Sequence, residues 1–329
     1  MYSKFNIKYI YDIFHNDNNK IIIIMPYEFE PPKIECINIK FEVHVCKHKH
    51  NHTIIYESLS ESEYEKNIKI LINSIEYNLK VNKYPEFKDE IIMSTMVHNE
   101  DNYIRQWIEF HFNIGVSRFI IYDNSKINDN KSYKSIEKSS NLKKILSDFI
   151  EKGIVLLIEW SFPKRLEISG ISGQTTQQNH SIYAFRNSKY IGLFDIDEYV
   201  NMQNNTNIHN FFDKLIIDYE INTNNISGFQ VKNKFFLNPY NLSTKKYDFF
   251  YRFICLCVSK KGHEKNFIIP KNVKIFAIHR VILGKPIYTV DYKYLYFNHY
   301  YFLNKSNRGK NSSFLRDNSI LKHLNFIKS

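Results

Sequence analysis

Residues Ile91-Ile92-Met93-Ser94-Thr95-Met96-Val97-His98-Asn99-Glu100-Asp101-Asn102-Tyr103-Ile104-Arg105-Gln106-Trp107-Ile108-Glu109 decide how the chain is read. An apolar strand (90–97) runs through a polar turn into an amphipathic helix (103–113), which Gly115 stops. The same grammar repeats outward. A strand at 118–122 ends in Asp123-Asn124-Ser125, a helix follows at about 134–151, and a strand covers 154–159. A Gly/Ser loop (169–173), a helix (174–187) and a strand (190–194) come next, ending in Asp195-Ile196-Asp197-Glu198. Alternation of this kind predicts an α/β fold with a mainly parallel central sheet and helices on both faces. Ligands of such sheets bind at the carboxyl ends of the strands, where Asn99-Glu100, Asp123-Asn124 and Asp195-x-Asp197 all fall.

Asp195 and Asp197 point the same way on a locally extended chain. Two such carboxylates suit Mg²⁺ or Mn²⁺ with phosphate oxygens completing the shell. The alternative is a strand-terminal turn with a capping Asp, since chance supplies about one D-x-D in a chain this long. Adjacent carboxylates joined by Glu198 would repel one another without a cation. Asp123 can accept from a nucleobase or ribose, or simply form a turn. Asn99-Glu100-Asp101 can cap the helix that follows, and Arg105 and Glu109 can pair across one turn of it.

Upstream, residues 1–60 read as short strands, and 61–82 carry apolar residues at roughly helical spacing. Tyr84-Pro85 marks a boundary between an accessory region of strands plus a helix (1–85) and the main domain (86–329). Cys46, His48, His50 and His52 alternate and can hold zinc, but no second ligand pair follows at conventional spacing, and a solvated hairpin is the better reading. Cys255-x-Cys257 reads as packing. The 329 residues carry a formal charge of +11, which calls for an anionic partner, but no basic block marks a nucleic-acid arm. No stretch approaches the roughly 18–20 apolar residues of a membrane span, and no leader pattern opens the chain. A cytoplasmic protein is therefore expected. Four Cys fit a reducing compartment, and 9 Gly exclude collagen-like chains. Ser-elbow hydrolase, zincin, Walker and dinucleotide signatures are missing.

Together these segments resemble the GT-A nucleotide-sugar glycosyltransferases, closest to the family 2-like and family 92 group of inverting enzymes. The resemblance rests on residues 96–111 with Gly115-Val116, then Phe119–Ser125, then Gln174 upstream of Asn179-His180. It continues through Leu193–Val200, Lys265–Pro270, Ile278-His279, Asn298-His299-Tyr300 and Arg308-Gly309. Lys305-Ser306 stands two residues late, and Gln177-Gln178 replaces an expected Ala-Tyr.

The resemblance implies a Rossmann-like GT-A domain with an N-terminal β-rich appendage, moving a hexose, galactose-like, from a UDP-sugar to a glycan or glycoprotein hydroxyl. Thr95, Val97, Asn99, Glu100 and Asp123 would line the nucleotide pocket. Gln174 belongs to the same donor side, and Arg105, Lys265 and Arg280 would assist. Asp195, Asp197 and His299 would hold Mn²⁺ or Mg²⁺. The acceptor base would be Asp248 or Asp291. Two other classes compete: a basic binding protein that keeps the fold without turnover, and a nucleotidyltransferase using the same carboxylates. The composition, rich in Asn, Ile, Lys and Tyr, suits an AT-rich genome. A large DNA virus could encode such a protein, with a virion or host glycan as acceptor.

Overall fold

The computed structural model describes residues 10–26, 31–36, 38–48, 51–98, 101, 103–125, 141–160, 162, 172–237, 254–256, 264–300, 314–315 and 317–328. Its first part is made of strands: β1 (Asp12–His15), β2 (Ile21–Pro26), β3 (Ile34–Cys36), β4 (Phe41–His48), β5 (Asn51–Ser58), β6 (Asn67–Ile72), β7 (Ile75–Lys80) and β8 (Asn82–Lys83). They form a five-stranded sheet, β4-β5-β2-β1-β8, and a three-stranded sheet, β3-β6-β7. The unbroken run Ile21–Ile24 is buried throughout because both faces of β2 are covered. Ile21 and Ile23 join a core with Ile68, Ile70 and Ile72 of β6. Ile22 and Ile24 join a second core shared with the main sheet.

The helix expected within 61–82 is a β-hairpin. Ile68, Ile70 and Ile72 are buried in alternation, a period of two. Asn73 and Ser74 take φ of 48° and 68° between the paired Ile72 and Ile75, the two-residue turn that suits a twisted hairpin. Helical periodicity was a coincidence of Leu71, Ile75 and Leu79 with this alternation.

The rest of the chain holds β9 (Ile91–Val97), α1 (Ile104–Asn113), β10 (Arg118–Asp123), α2 (Leu142–Ile145), α3 (Ser147–Glu151), β11 (Val155–Glu159), α4 (Ser172–Ala184) and β12 (Tyr190–Leu193). Then come β13 (Glu198–Met202), α5 (Ile208–Asp218), β14 (Gly228–Leu237), β15 (Ile254–Leu256), β16 (Lys265–Ile268), β17 (Val273–Ala277), β18 (Arg280–Gly284), β19 (Tyr288–Thr289), β20 (Leu295–Tyr300) and β21 (Phe314–Leu315). No described helix is long and apolar enough to cross a membrane.

This order corrects the expected α/β, Rossmann-like GT-A architecture with helices on both faces. The described residues hold twenty-one strands against five α-helices, so the protein is mostly β-sheet with helices added. In the large sheet β11-β10-β9-β12 run parallel, β16 and β14 continue it antiparallel, and β19 and β20 lie parallel to β14. The βαβ grammar of 90–194 does not extend over the chain. After β12 most pairings are antiparallel, and antiparallel pairs need no crossover helices; β19 and β20, parallel to β14, are the exceptions. Helices α1 and α5 supply Trp107, Phe110, Phe211 and Phe212 to the larger core. Helix α4 is covered by β2 and β5 of the N-terminal sheet, so residues 10–83 pack into the body of the protein.

Candidate active site

Parallel β9, β10 and β12 deliver their carboxyl ends to one edge, and neighbouring strands bring the remaining groups there. Asp195–Glu198 follows β12 as a self-closing turn: Asp195 N–H donates to Glu198 Oε2 (2.9 Å), and Glu198 N–H donates to the Asp195 carbonyl (3.1 Å). Lys265 opens β16, antiparallel to β12, and its Nζ lies 2.6 Å from Asp195 Oδ2 and 3.0 Å from Glu198 Oε2. His299 sits opposite Glu198 in the β13–β20 register. Its Nε2 is 3.3 Å from Asp197 Oδ2 and its Nδ1 3.6 Å from Glu198 Oε1.

Ligand-type atoms of Asp197, Glu198 and His299 therefore gather within 4.8 Å of one another. Asp195 is turned partly outward, its side chain 46% exposed and tied to Lys265. The gathered set differs from the expected trio of Asp195, Asp197 and His299 by bringing Glu198 in. Burial pushes the Glu198 carboxyl up to about 7, against the opposing pull of Lys265. Burial alone would lower Lys265, but Asp195 and Glu198 hold its ammonium above the ordinary value. His299 is likewise raised, its burial outweighed by Asp197 and Glu198. Three carboxylates share one edge with one Lys and one His, a surplus of negative charge that suits a cation.

The neighbouring motif residues prove to be braces. Trp107 Nε1–H donates to the Glu198 carbonyl (2.9 Å), and Val200 N–H donates to His111 Nε2 (3.3 Å). His111 Nδ1 meets the Trp107 carbonyl (2.9 Å), and burial lowers its pKa to about 3, so the ring is neutral. One turn of α1 thus fixes β13 and the Glu198 at its start. Sequence reasoning saw Trp107 and His111 as motif letters without this role; their i,i+4 spacing was the available signal.

Asp123 closes β10 beside Val97, and it is half-buried. Its Oδ1 accepts from Ser125 N–H (3.0 Å). Asn124 laces the strand ends: its N–H reaches the Val97 carbonyl (2.8 Å), and its Nδ2 reaches the carbonyls of Trp160 and Phe162 (both 2.6 Å). Thr95 is buried on β9, and its Oγ1 has no hydrogen-bond partner among the described residues. Val97 is buried at the end of β9, and Gln174 is buried in the first turn of α4.

Other candidates go elsewhere. Arg105 grips Asp148 with two nitrogens (2.7 and 2.8 Å) and Glu109 with a third (2.9 Å), over the Phe149 ring. Asp291 lies in an exposed turn before β20, its Oδ1 taken by Lys293 N–H, at the far end of that strand from His299. Arg280 opens β18 and is exposed. Asn99, Glu100 and Asp248 lie outside the described residues, as do His50, Cys257 and the 305–309 segment. The α1 N-cap, Tyr103, makes no side-chain cap, and Asp101 Oδ2 instead accepts from Asn141 N–H (3.0 Å). In the N-terminal sheet, Glu42, His44 and Glu57 also gather within 4.8 Å among the described residues, which do not include His50 of the Cys46–His52 set. There Lys20 (3.4 Å to Glu57) and Lys274 (2.8 Å to Glu42) supply the positive charge.

The sequence profile of Glycosyltransferase family 92 matches residues 91–325, which takes in every element of this edge. The chain belongs to glycosyltransferase family 92. It is therefore a glycosyltransferase, an enzyme that moves a sugar from a donor to a glycan acceptor. No curated protein matches the chain. The family 92 match begins at β9, so the N-terminal sheets lie outside it.

Proposed function

We propose that this family 92 enzyme transfers a hexose from a UDP-sugar to a glycan hydroxyl, with inversion, using Mn²⁺ or Mg²⁺. The observation that carries this reading is the convergence of Asp197, Glu198 and His299 within 4.8 Å at the carboxyl edge of β12. Hard carboxylate oxygens with one imidazole suit either metal, and the surplus of negative charge gives the site a reason to take one. When bound, the metal would supply electrostatic relief for charge on the departing diphosphate. Lys265 and the outward Asp195 stand beside that position, the Lys as a second cation facing the phosphates. Asp123 lies two strands away from Asp195, across β9, a separation of roughly 10 Å from the ordinary strand spacing. That span suits a nucleoside held at one end by its base or ribose and at the other by its diphosphate.

Thermal denaturation with UDP and other nucleoside diphosphates, with Mn²⁺ or with a chelator, tests the donor side. Stabilisation by UDP that requires Mn²⁺, together with UDP release from one UDP-hexose, is the expected result. Equal stabilisation in chelator would discard the metal, and stabilisation by a different nucleotide would replace the donor.

A further inference from the structure

The N-terminal sheets reach the carboxyl edge through a buried chain of polar groups that the site itself does not use. Asp12, at the start of β1, accepts four hydrogen bonds. Oδ1 takes Ile13 N–H and Asn82 Nδ2 (both 2.7 Å), while Oδ2 takes Tyr84 O–H (2.6 Å) and His180 Nε2 (2.8 Å). Four donors fill the acceptor sites of a carboxylate, so His180 must present a proton at Nε2. Its Nδ1 meets the Tyr122 hydroxyl at 2.7 Å. Burial holds the Tyr122 phenol well above its ordinary value, so the hydroxyl keeps its proton, and the free Nδ1 of the neutral ring, whose own proton is on Nε2, accepts its hydrogen bond. Trp160 packs edge-on against the Tyr122 ring (5.2 Å between centroids) and against His180 (5.1 Å). Its backbone N–H donates to the carbonyl of Asp123.

Tyr122 is the residue before Asp123, and backbone stiffness passes its position on directly. We propose that Asp12, His180 and Tyr122 form a positioning relay through which the N-terminal sheet fixes the end of β10, and with it Asp123, for donor binding. This rests on the proposed role of Asp123 at the nucleoside. It gives residues 10–83 a task on the donor side, although the family match starts only at residue 91. None of the three relay residues touches substrate; each acts through its neighbour.

Tyr122→Phe removes one hydroxyl and keeps the ring packing. Asp12→Asn replaces one acceptor oxygen by an amide donor, so the side chain can no longer accept all four donors that meet Asp12. Thr176→Val is the control, because it deletes a hydroxyl contact to Thr53 (3.2 Å) between the same helix and the same sheet but outside the relay. Two readouts apply to the full chain: amide hydrogen exchange over 120–125 without ligand, and UDP affinity by calorimetry with Mn²⁺. The relay predicts faster exchange at Asn124 and Ser125 in Tyr122→Phe and Asp12→Asn, with UDP binding weakened roughly fivefold to tenfold. Thr176→Val should match wild type in both. Unchanged exchange in both relay variants, or equal changes in all three, would overturn the relay. If wild type binds no nucleotide, the donor reading fails, while the exchange comparison still decides whether the relay sets this segment.

Discussion

Asp12 and Glu198 are both buried carboxylates on either side of the same sheet system, and their surroundings differ in kind. Asp12 is saturated by two side-chain hydroxyl or amide donors, an imidazole and a backbone N–H. Glu198 has Lys265, the His299 imidazole and one backbone N–H, but Asp195 and Asp197 crowd it with like charge. The first network is complete within the protein and holds elements together. The second is short of positive charge and is held rigid from behind by Trp107 and His111. A site kept unsatisfied by a rigid frame is where binding and chemistry are expected.

Substitutions can break this contrast. The largest effect is expected at Asp197→Ala, with transfer activity falling on the order of 10³-fold while the melting temperature stays within a few degrees. Activity assays beside calorimetry check it, and a large loss of stability with intact activity would reverse the assignment. Lys265→Met should do the opposite to the fold. It leaves buried Glu198 beside two further carboxylates with no ammonium, at a cost of roughly 3–5 kcal/mol in urea unfolding.

The third test uses pH on the N-terminal sheet. Burial alone would raise Glu57, but His44, Arg186 and Lys20 outweigh it and hold the carboxyl at about 2. A depressed carboxylate contributes its stability above the unfolded value near 4.5 and loses it as pH falls toward 2. Wild type should therefore lose up to about 3 kcal/mol across that window, and Glu57→Gln should lack this component, as urea midpoints against pH would show. The smallest effect is expected at Arg105→Met. Its partner Asp148 and the Arg itself are 42% and 38% exposed, so the pair contributes no more than about 1 kcal/mol. UDP affinity should not change, because the guanidinium is engaged with Asp148 and Glu109.

The carboxyl edge was largely legible in the sequence. Strands ending in Asp123 and Asp195-x-Asp197 follow from local patterning, and parallel pairing of β9, β10 and β12 brings them to one edge. His299 and Lys265 came from the family resemblance, since their approach depends on the long-range registers of β16 and β20. Glu198 was visible but undervalued, because sequence spacing points it away from Asp197 while the turn folds it back under Asp195. The architecture as a whole was misjudged for a related reason. A convincing βαβ stretch was extended to a chain whose remaining segments pair as strands, as the hairpin at Asn73-Ser74 illustrates. The buried polar face of α4 was not legible at all. Thr175 to Ser181 are uniformly polar within a stretch expected to be helical, with nothing to announce burial, yet each is buried because a second sheet covers the helix. Asn179, for instance, clamps both the N–H and the carbonyl of Phe276 on β17.

The most direct test of a cation site built by Asp197, Glu198 and His299 is a Mn²⁺ titration followed by electron paramagnetic resonance, in the presence of UDP. Wild type should bind one ion per chain, and Asp197→Asn and His299→Ala should each weaken that binding at least about tenfold, a loss of about 1.4 kcal/mol. Identical Mn²⁺ affinity in wild type and both variants would contradict the account.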